Sequence, residues 1–244
     1  MSWILPPDQR VESPNISKGR AGVLLDTLVI HYAVDGDNSE RGESDQQAFS
    51  ATTPSVDAYD VARLFSRRPR GASAHFVVGR DGSMAQLCEL DDTAWHAGGG
   101  ALPDEGTGPL RKPRPWLMNR RSIGIELCNA GWAWERVGIP AEQTVKAAHP
   151  ARPRKLRRWE AYPDRLMASL RHLASSIRPH FNEDGPVFVL GHEDVVNRDT
   201  LGKKYGGKVD PGPAFDWSAI RWREAGYTPI YYDYDRKRWE ERPC

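Results

Sequence analysis

Four histidines and one aspartate supply the side chains with the most chemical potential: His31, His75, His96, His192 and Asp210. A catalytic zinc ion takes three protein ligands and keeps a fourth position open for water. Any three of these five side chains would supply nitrogen and oxygen donors of the right kind. Taken alone, each histidine is more often a satisfied interior residue than a ligand. His31 and His192 stand apart because each follows a short aliphatic run, Leu24 to His31 and Val187 to Leu190. Asp210 lies in Lys-Val-Asp-Pro-Gly, where Pro211 and Gly212 impose a turn and set the direction of the carboxylate. An aspartate that merely caps that turn is the competing reading.

The elements needed to position these groups are legible as alternating strands and helices. Leu24 to His31 reads as a buried strand. Residues 57–66 place apolar side chains at helical spacing after Asp57, a candidate N-cap. Two β-rich runs flank Arg80-Asp81-Gly82-Ser83, a hairpin signal because both turn residues tolerate positive φ. Residues 91–115 are rich in Gly and Pro and read as loop. Ser122 to Cys128 is a further buried strand, and Leu166, Leu170, Leu173 and Ile177 mark one face of a helix that stops before Pro179. The pattern predicts a single α/β domain with a central mixed β-sheet flanked by helices. If the strands ending near His31 and His192 are neighbours, both imidazoles emerge at one edge of the sheet, where α/β folds hold their sites.

Residues 131–160 interrupt this pattern. They are dense in Pro and Arg, carry Trp132, Trp134 and Trp159, and read as an inserted basic surface segment. Packing against the domain is the first expectation for those indoles, with stacking on sugar faces the alternative. Residues 1–220 are expected to form the catalytic domain, with 221–244 an aromatic and charged C-terminal extension. Lys and Arg total 34 against 33 Asp and Glu, a net charge of +1, so the cationic field of a nucleic-acid binder is absent. No apolar run approaches the roughly 18 residues that span a bilayer, so membrane insertion is not expected. The N-terminus lacks the basic start and long apolar stretch of a secretory signal. The expectation is a protein made in the cytoplasm, acting there or reaching the wall by release or injection. Cys88, Cys128 and Cys244 form no close-spaced pair, which suits a reducing compartment.

The ordered motifs LVIHY, SAHFVVGRDG, AWHAG, NRRSIGIEL, VLGHEDV and KVDPGPAFDW resemble those of the type-2 N-acetylmuramoyl-L-alanine amidases. That superfamily also includes the peptidoglycan recognition proteins and the phage lysozyme-type amidases. The likeness runs from about Leu24 to Trp217, and six motifs in order are far more specific than any one. It implies hydrolysis of the amide between N-acetylmuramic acid and L-alanine, with peptidoglycan or a muropeptide as substrate. It also implies His31, His192 and Asp210 as ligands of Zn2+, Glu126 as the carboxylate that handles the attacking water, and Lys208 as the cation facing the oxyanion. Trp95, His96 and Asn119 match positions lining the substrate cleft, and His75 is not a ligand in this reading.

Elementary chemistry agrees with that layout. Zinc acidifies water toward ~7 and polarises a carbonyl, a carboxylate can carry the water's proton to the leaving amine, and an ammonium can face the developing oxyanion. Along an extended strand Ile123, Ile125 and Leu127 point one way and Gly124, Glu126 and Cys128 the other, so Glu126 can face a site while its neighbours pack. Two departures stand out. The His192-to-Asp210 interval is longer than in compact recycling-type members, leaving Lys203 and Lys204 as competitors of Lys208, and Ala74 replaces the tyrosine of phage lysozyme-type members. The alternative to an enzyme is a non-catalytic peptidoglycan-binding module of the same fold, which usually lacks a ligand that this chain retains. Endolysin, injected antibacterial toxin and wall-recycling amidase are the competing roles within the enzyme reading.

Overall fold

The computed structural model of the chain describes residues 2–33, 57–67, 71–98, 100–101, 117–132, 135, 138–149, 154–197, 208–233, 236 and 238–243. In chain order the strands are β1 (Ile16–Ser17), β2 (Thr27–Ala33), β3 (Phe76–Val78), β4 (Met84–Gln86), β5 (Thr93–Ala94), β6 (Gly100–Ala101), β7 (Ser122–Cys128), β8 (Thr144–Ala148), β9 (Leu156–Glu160), β10 (Phe188–Gly191), β11 (Val196–Asn197), β12 (Thr228–Asp233) and β13 (Arg238–Glu241). The α-helices are α1 (Ala58–Arg67), α2 (Leu117–Arg121) and α3 (Asp164–Ile177).

Among the described residues, seven strands form the main sheet in the order β13-β12-β10-β2-β7-β3-β4. The five inner strands run parallel, from β12 through β10, β2 and β7 to β3. Antiparallel β13 and β4 close the two edges. The sheet is therefore mixed, as the strand–helix alternation predicts, and β2 and β7 are aliphatic because both their faces are covered.

Side-chain alternation divides the interior. Leu28 and Ile30 of β2, with Ile123, Ile125 and Leu127 of β7, pack in one cluster with Leu166, Leu170, Leu173 and Ile177 of α3. Each buried side chain of this size contributes roughly 1.5–3 kcal/mol of transfer free energy. The opposite face carries Val29, Ala97, Met118 and Leu190 in one cluster and Val77, Ala85, Cys128 and the α1 residues Val61 and Ala62 in another. His31 and Glu126 fall on this second face by parity. Asp57 caps α1 as predicted, with its Oδ1 accepting from the N–H groups of Tyr59 and Asp60. The β3–β4 hairpin turns through Gly82 at φ 89°, a conformation that costs a residue with a Cβ.

Two segments are more ordered than the sequence pattern indicates. Strands β8 and β9 pair antiparallel, setting Val145 opposite Trp159. Trp159 is buried, while Val145 and Leu156 are exposed. Within the tail at 221–244, β12 joins the main sheet beside β10, and Trp222 and Tyr227 lie in the hydrophobic core. Of the sequence readings, the acidic stretch after Ala33, Trp134, Lys203 and Lys204 lie outside the described residues, as does most of the Gly- and Pro-rich loop. Among the described residues no helix is long and apolar enough to cross a membrane.

Candidate metal centre

Strand register brings the candidate groups together. β2 and β7 pair so that His31 stands opposite Glu126. β10 pairs with the other side of β2, with Gly191 opposite Ile30, so the next residue, His192, comes level with His31. The Asp210 segment folds back onto this edge. The Glu193 N–H donates to the Asp210 carbonyl at 2.8 Å, and the Tyr162 hydroxyl donates to the Pro211 carbonyl at 2.8 Å. Gly191 permits the approach, because a Cβ there would sit 2.6 Å from Pro211 Cδ.

The result is a tight triangle of donor atoms. His31 Nδ1 lies 2.9 Å from His192 Nδ1 and 3.3 Å from Asp210 Oδ2, and His192 Nδ1 lies 3.0 Å from the same oxygen. For bonds of the usual zinc length, the edge of a tetrahedron is roughly 3.3 Å. Two imidazole nitrogens and a carboxylate oxygen at these separations fit one divalent ion held by three protein ligands. The electrostatics suit that role. Burial first, and the neighbouring His192 second, push His31 down to about 4, which leaves its imidazole neutral. Burial works against the Asp210 carboxylate, but His192 and His31 outweigh it and hold Asp210 well below the usual carboxylate range.

Glu126 lies beside this triangle, 8% exposed, and its Oε2 has no hydrogen-bond partner among the described residues. Burial, reinforced by the charge of Asp210 and opposed by Lys208, pushes Glu126 up to about 8. A buried carboxyl poised near neutrality is suited to taking and giving a proton. Lys208 is exposed, and its charge acts on both Glu126 and His31. Next to Asp210, Val209 borders a cleft lined also by Trp132, His149, Lys155, Arg157 and Trp159.

The remaining sequence candidates occupy other places. His96 and Asn119, expected to line the cleft, are buried. His96 Nδ1 lies 3.0 Å from His31 Nε2, and Asn119 Oδ1 accepts from the backbone N–H groups of His96 and Ala97. Trp95 is partly buried, with its indole N–H donating to Ser17 Oγ on β1. His75 stands apart from the triangle: its Nδ1 accepts from the Gly124 N–H. Ala74 is fully buried.

Three contributors had no local signal strong enough to be singled out. Ser122 Oγ lies 3.1 Å from His96 Nε2. His149, from the inserted segment, lies 2.6 Å from Glu193, the residue after His192. Arg242, from the tail, donates to Asp194 at 2.6 Å. Only Ser122 was discoverable in principle, since it shares the β7 face of Gly124 and Glu126 at the strand period of two.

Fold and site together define an α/β domain with a buried candidate metal centre and a buried carboxyl beside it. The chain belongs to the N-acetylmuramoyl-L-alanine amidase family, whose sequence profile matches residues 21–213. It is accordingly an enzyme of the amidase class, acting on peptidoglycan material. Among individual proteins it is similar to the 1,6-anhydro-N-acetylmuramyl-L-alanine amidase AmpD of Haemophilus influenzae, at 23% identity over 88% of this chain and 90% of that one. Among solved structures it is similar to a Se-Met derivative of AmpD, at 22% identity, 89% and 95% coverage and a TM-score of 0.49. It is also similar to AmpDh3 from Pseudomonas aeruginosa, at 21% identity, 96% and 69% coverage and a TM-score of 0.47.

Proposed function

We propose that this chain is a zinc-dependent hydrolase that cuts the amide between the lactyl group of N-acetylmuramic acid and the first L-alanine of the stem peptide. His31, His192 and Asp210 hold the ion, Glu126 moves the proton, and Lys208 faces the oxyanion. The observation that carries this reading is the triangle of donor atoms with edges of 2.9, 3.0 and 3.3 Å in a member of this family.

Zinc bound there supplies Lewis acidity, which acidifies water and polarises the scissile carbonyl. Glu126 as carboxylate accepts the proton of the attacking water and, now a carboxylic acid, returns it to the nitrogen of the leaving L-alanine. Its burial helps the first half of that cycle, because a carboxylate short of solvent takes up a proton readily. Lys208 offsets the negative charge that builds on the former carbonyl oxygen. Neutral His31 offers a lone pair without competition from a proton.

A non-catalytic binding module of the same fold is disfavoured because the candidate ligands and Glu126 are all present. The substrate form is proposed to include soluble muropeptides, in keeping with the anhydro-muropeptide amidase named above. Lytic action on the intact wall, as an endolysin or toxin would show, is the competing role. One experiment addresses activity and substrate together: mass spectrometry of purified sacculi and of soluble anhydro-muropeptides after incubation with the zinc-loaded protein. Free stem peptides with an L-alanine amino terminus are expected. Binding to either material without release of peptide would reduce the chain to a binding module.

A further inference from the structure

We propose that His96 and Ser122 form a positioning relay that fixes the hydrogens behind His31, so that His31 presents Nδ1 as a lone pair to the candidate centre. The inference rests on the zinc reading above and assigns to His96 a task other than touching substrate.

The relay has one self-consistent direction. Ser122 Oγ–H donates to the Met118 carbonyl, which can only accept. Its single hydrogen is then committed, so the 3.1 Å contact with His96 Nε2 must be donated by the imidazole. A neutral imidazole carries one ring hydrogen, which leaves His96 Nδ1 as an acceptor. The 3.0 Å contact to His31 Nε2 is therefore donated by His31. His31 Nδ1 is left bare and faces His192 and Asp210. Reversing any link would set two hydrogens against each other or place one on the nitrogen that points at the centre. Fixing a ligand's tautomer from behind in this way typically affects metal affinity about 10- to 100-fold.

The surroundings hold the relay in place. Asn119 of α2 takes the backbone N–H groups of His96 and Ala97, at 3.2 and 2.7 Å, and so fixes where the ring begins. Gly124 of β7 makes the space the ring occupies: a Cβ there would lie 2.5 Å from His96 Cγ. A glycine in the middle of a buried strand otherwise weakens it, and Gly124 does not have a positive φ to require one. Its absent side chain is explained by the imidazole lying over it.

The test uses ring-15N-histidine protein and chelator-competition measurements of zinc affinity. In the metal-free wild type, long-range proton–nitrogen correlations are expected to place the hydrogens of both His31 and His96 on Nε2. His96→Leu is expected to weaken zinc binding about 10- to 100-fold. His96→Asn, whose amide oxygen can stand near the former Nδ1, should recover most of that loss. Gly124→Ala should weaken binding in the same direction by displacing the ring. A hydrogen on His31 Nδ1 in the wild type, or unchanged zinc affinity in folded His96→Leu, would overturn the relay. The tautomer readout on the wild type stands even if the variants do not fold. Failure of the wild type to take up zinc with both hydrogens on Nε2 would instead count against the zinc reading while leaving the hydrogen order intact.

Discussion

Replacing Glu126 with glutamine should stabilise the metal-free protein while removing most of its activity, and the stabilisation should grow with pH. Glu126 is buried with one oxygen unpartnered among the described residues, and its pKa is raised from 4.5 to about 8 by burial and the charge of Asp210, with Lys208 opposing. The unfolded chain loses this proton near 4.5, whereas the folded chain keeps it to about 8. The contribution is therefore fully present at low pH and is lost as pH rises through that window. At about 1.4 kcal/mol per unit, a shift of this size costs on the order of 5 kcal/mol by the upper end. Glutamine has no such proton to lose. Wild type and Glu126→Gln should unfold at similar urea concentrations at the acid end and separate progressively toward pH 8, with the variant more stable. Chelator must be present throughout, because a bound cation would favour the carboxylate and shrink the gap. Parallel stability–pH curves for the two proteins would refute the argument that Glu126 is held as a buried acid. Turnover of the zinc-loaded variant should fall about 100- to 10,000-fold, the range for loss of a general acid–base group.

Asp210→Ala should purify without its zinc, and retention of a full equivalent by metal analysis would exclude Asp210 as a ligand. Lys208→Met should lower kcat about 100- to 1,000-fold with little change in KM. Near-normal kcat would move the oxyanion role to another donor, with Lys203→Met and Lys204→Met the next variants to assay. Arg242→Met should destabilise the protein by roughly 3 kcal/mol in urea melts above neutral pH, because it strips a buried carboxylate of its cation. That loss should shrink in acid. Burial raises Asp194 to about 7 even though Arg242 lowers it, so below that pH the carboxyl is neutral and has little need of the guanidinium. A loss that did not vary with pH would assign Arg242 a packing role on Trp217, whose ring lies 4.2 Å beneath it.

What was legible in the sequence was whatever leaves a local period or a local breaker. The runs ending at His31 and Cys128, the i, i+3, i+4 leucines of α3, the Asp57 cap and the Asp-Gly hairpin all carry their own signal, and each is found at or within a few residues of its expected place. The adjacency of His31 and His192 followed from the run ends once the strands were neighbours. The β8–β9 pair was obscured because its strands bury few side chains, Trp159 chief among them. The tail was hidden for another reason. Thr228–Asp233 contains Pro229 and no aliphatic run, and its strand identity comes from pairing with β10, about forty positions earlier. The place of His96 depends on a loop laid across β7, and the one trace of that in the sequence is the missing side chain at Gly124.

X-ray absorption at the zinc edge of the metal-loaded wild type tests the centre most directly. Two imidazoles and a carboxylate predict a first shell of nitrogen and oxygen at roughly 2.0–2.2 Å with no sulfur. A sulfur shell near ~2.3 Å, or a histidine count other than two, would contradict the assignment of His31, His192 and Asp210.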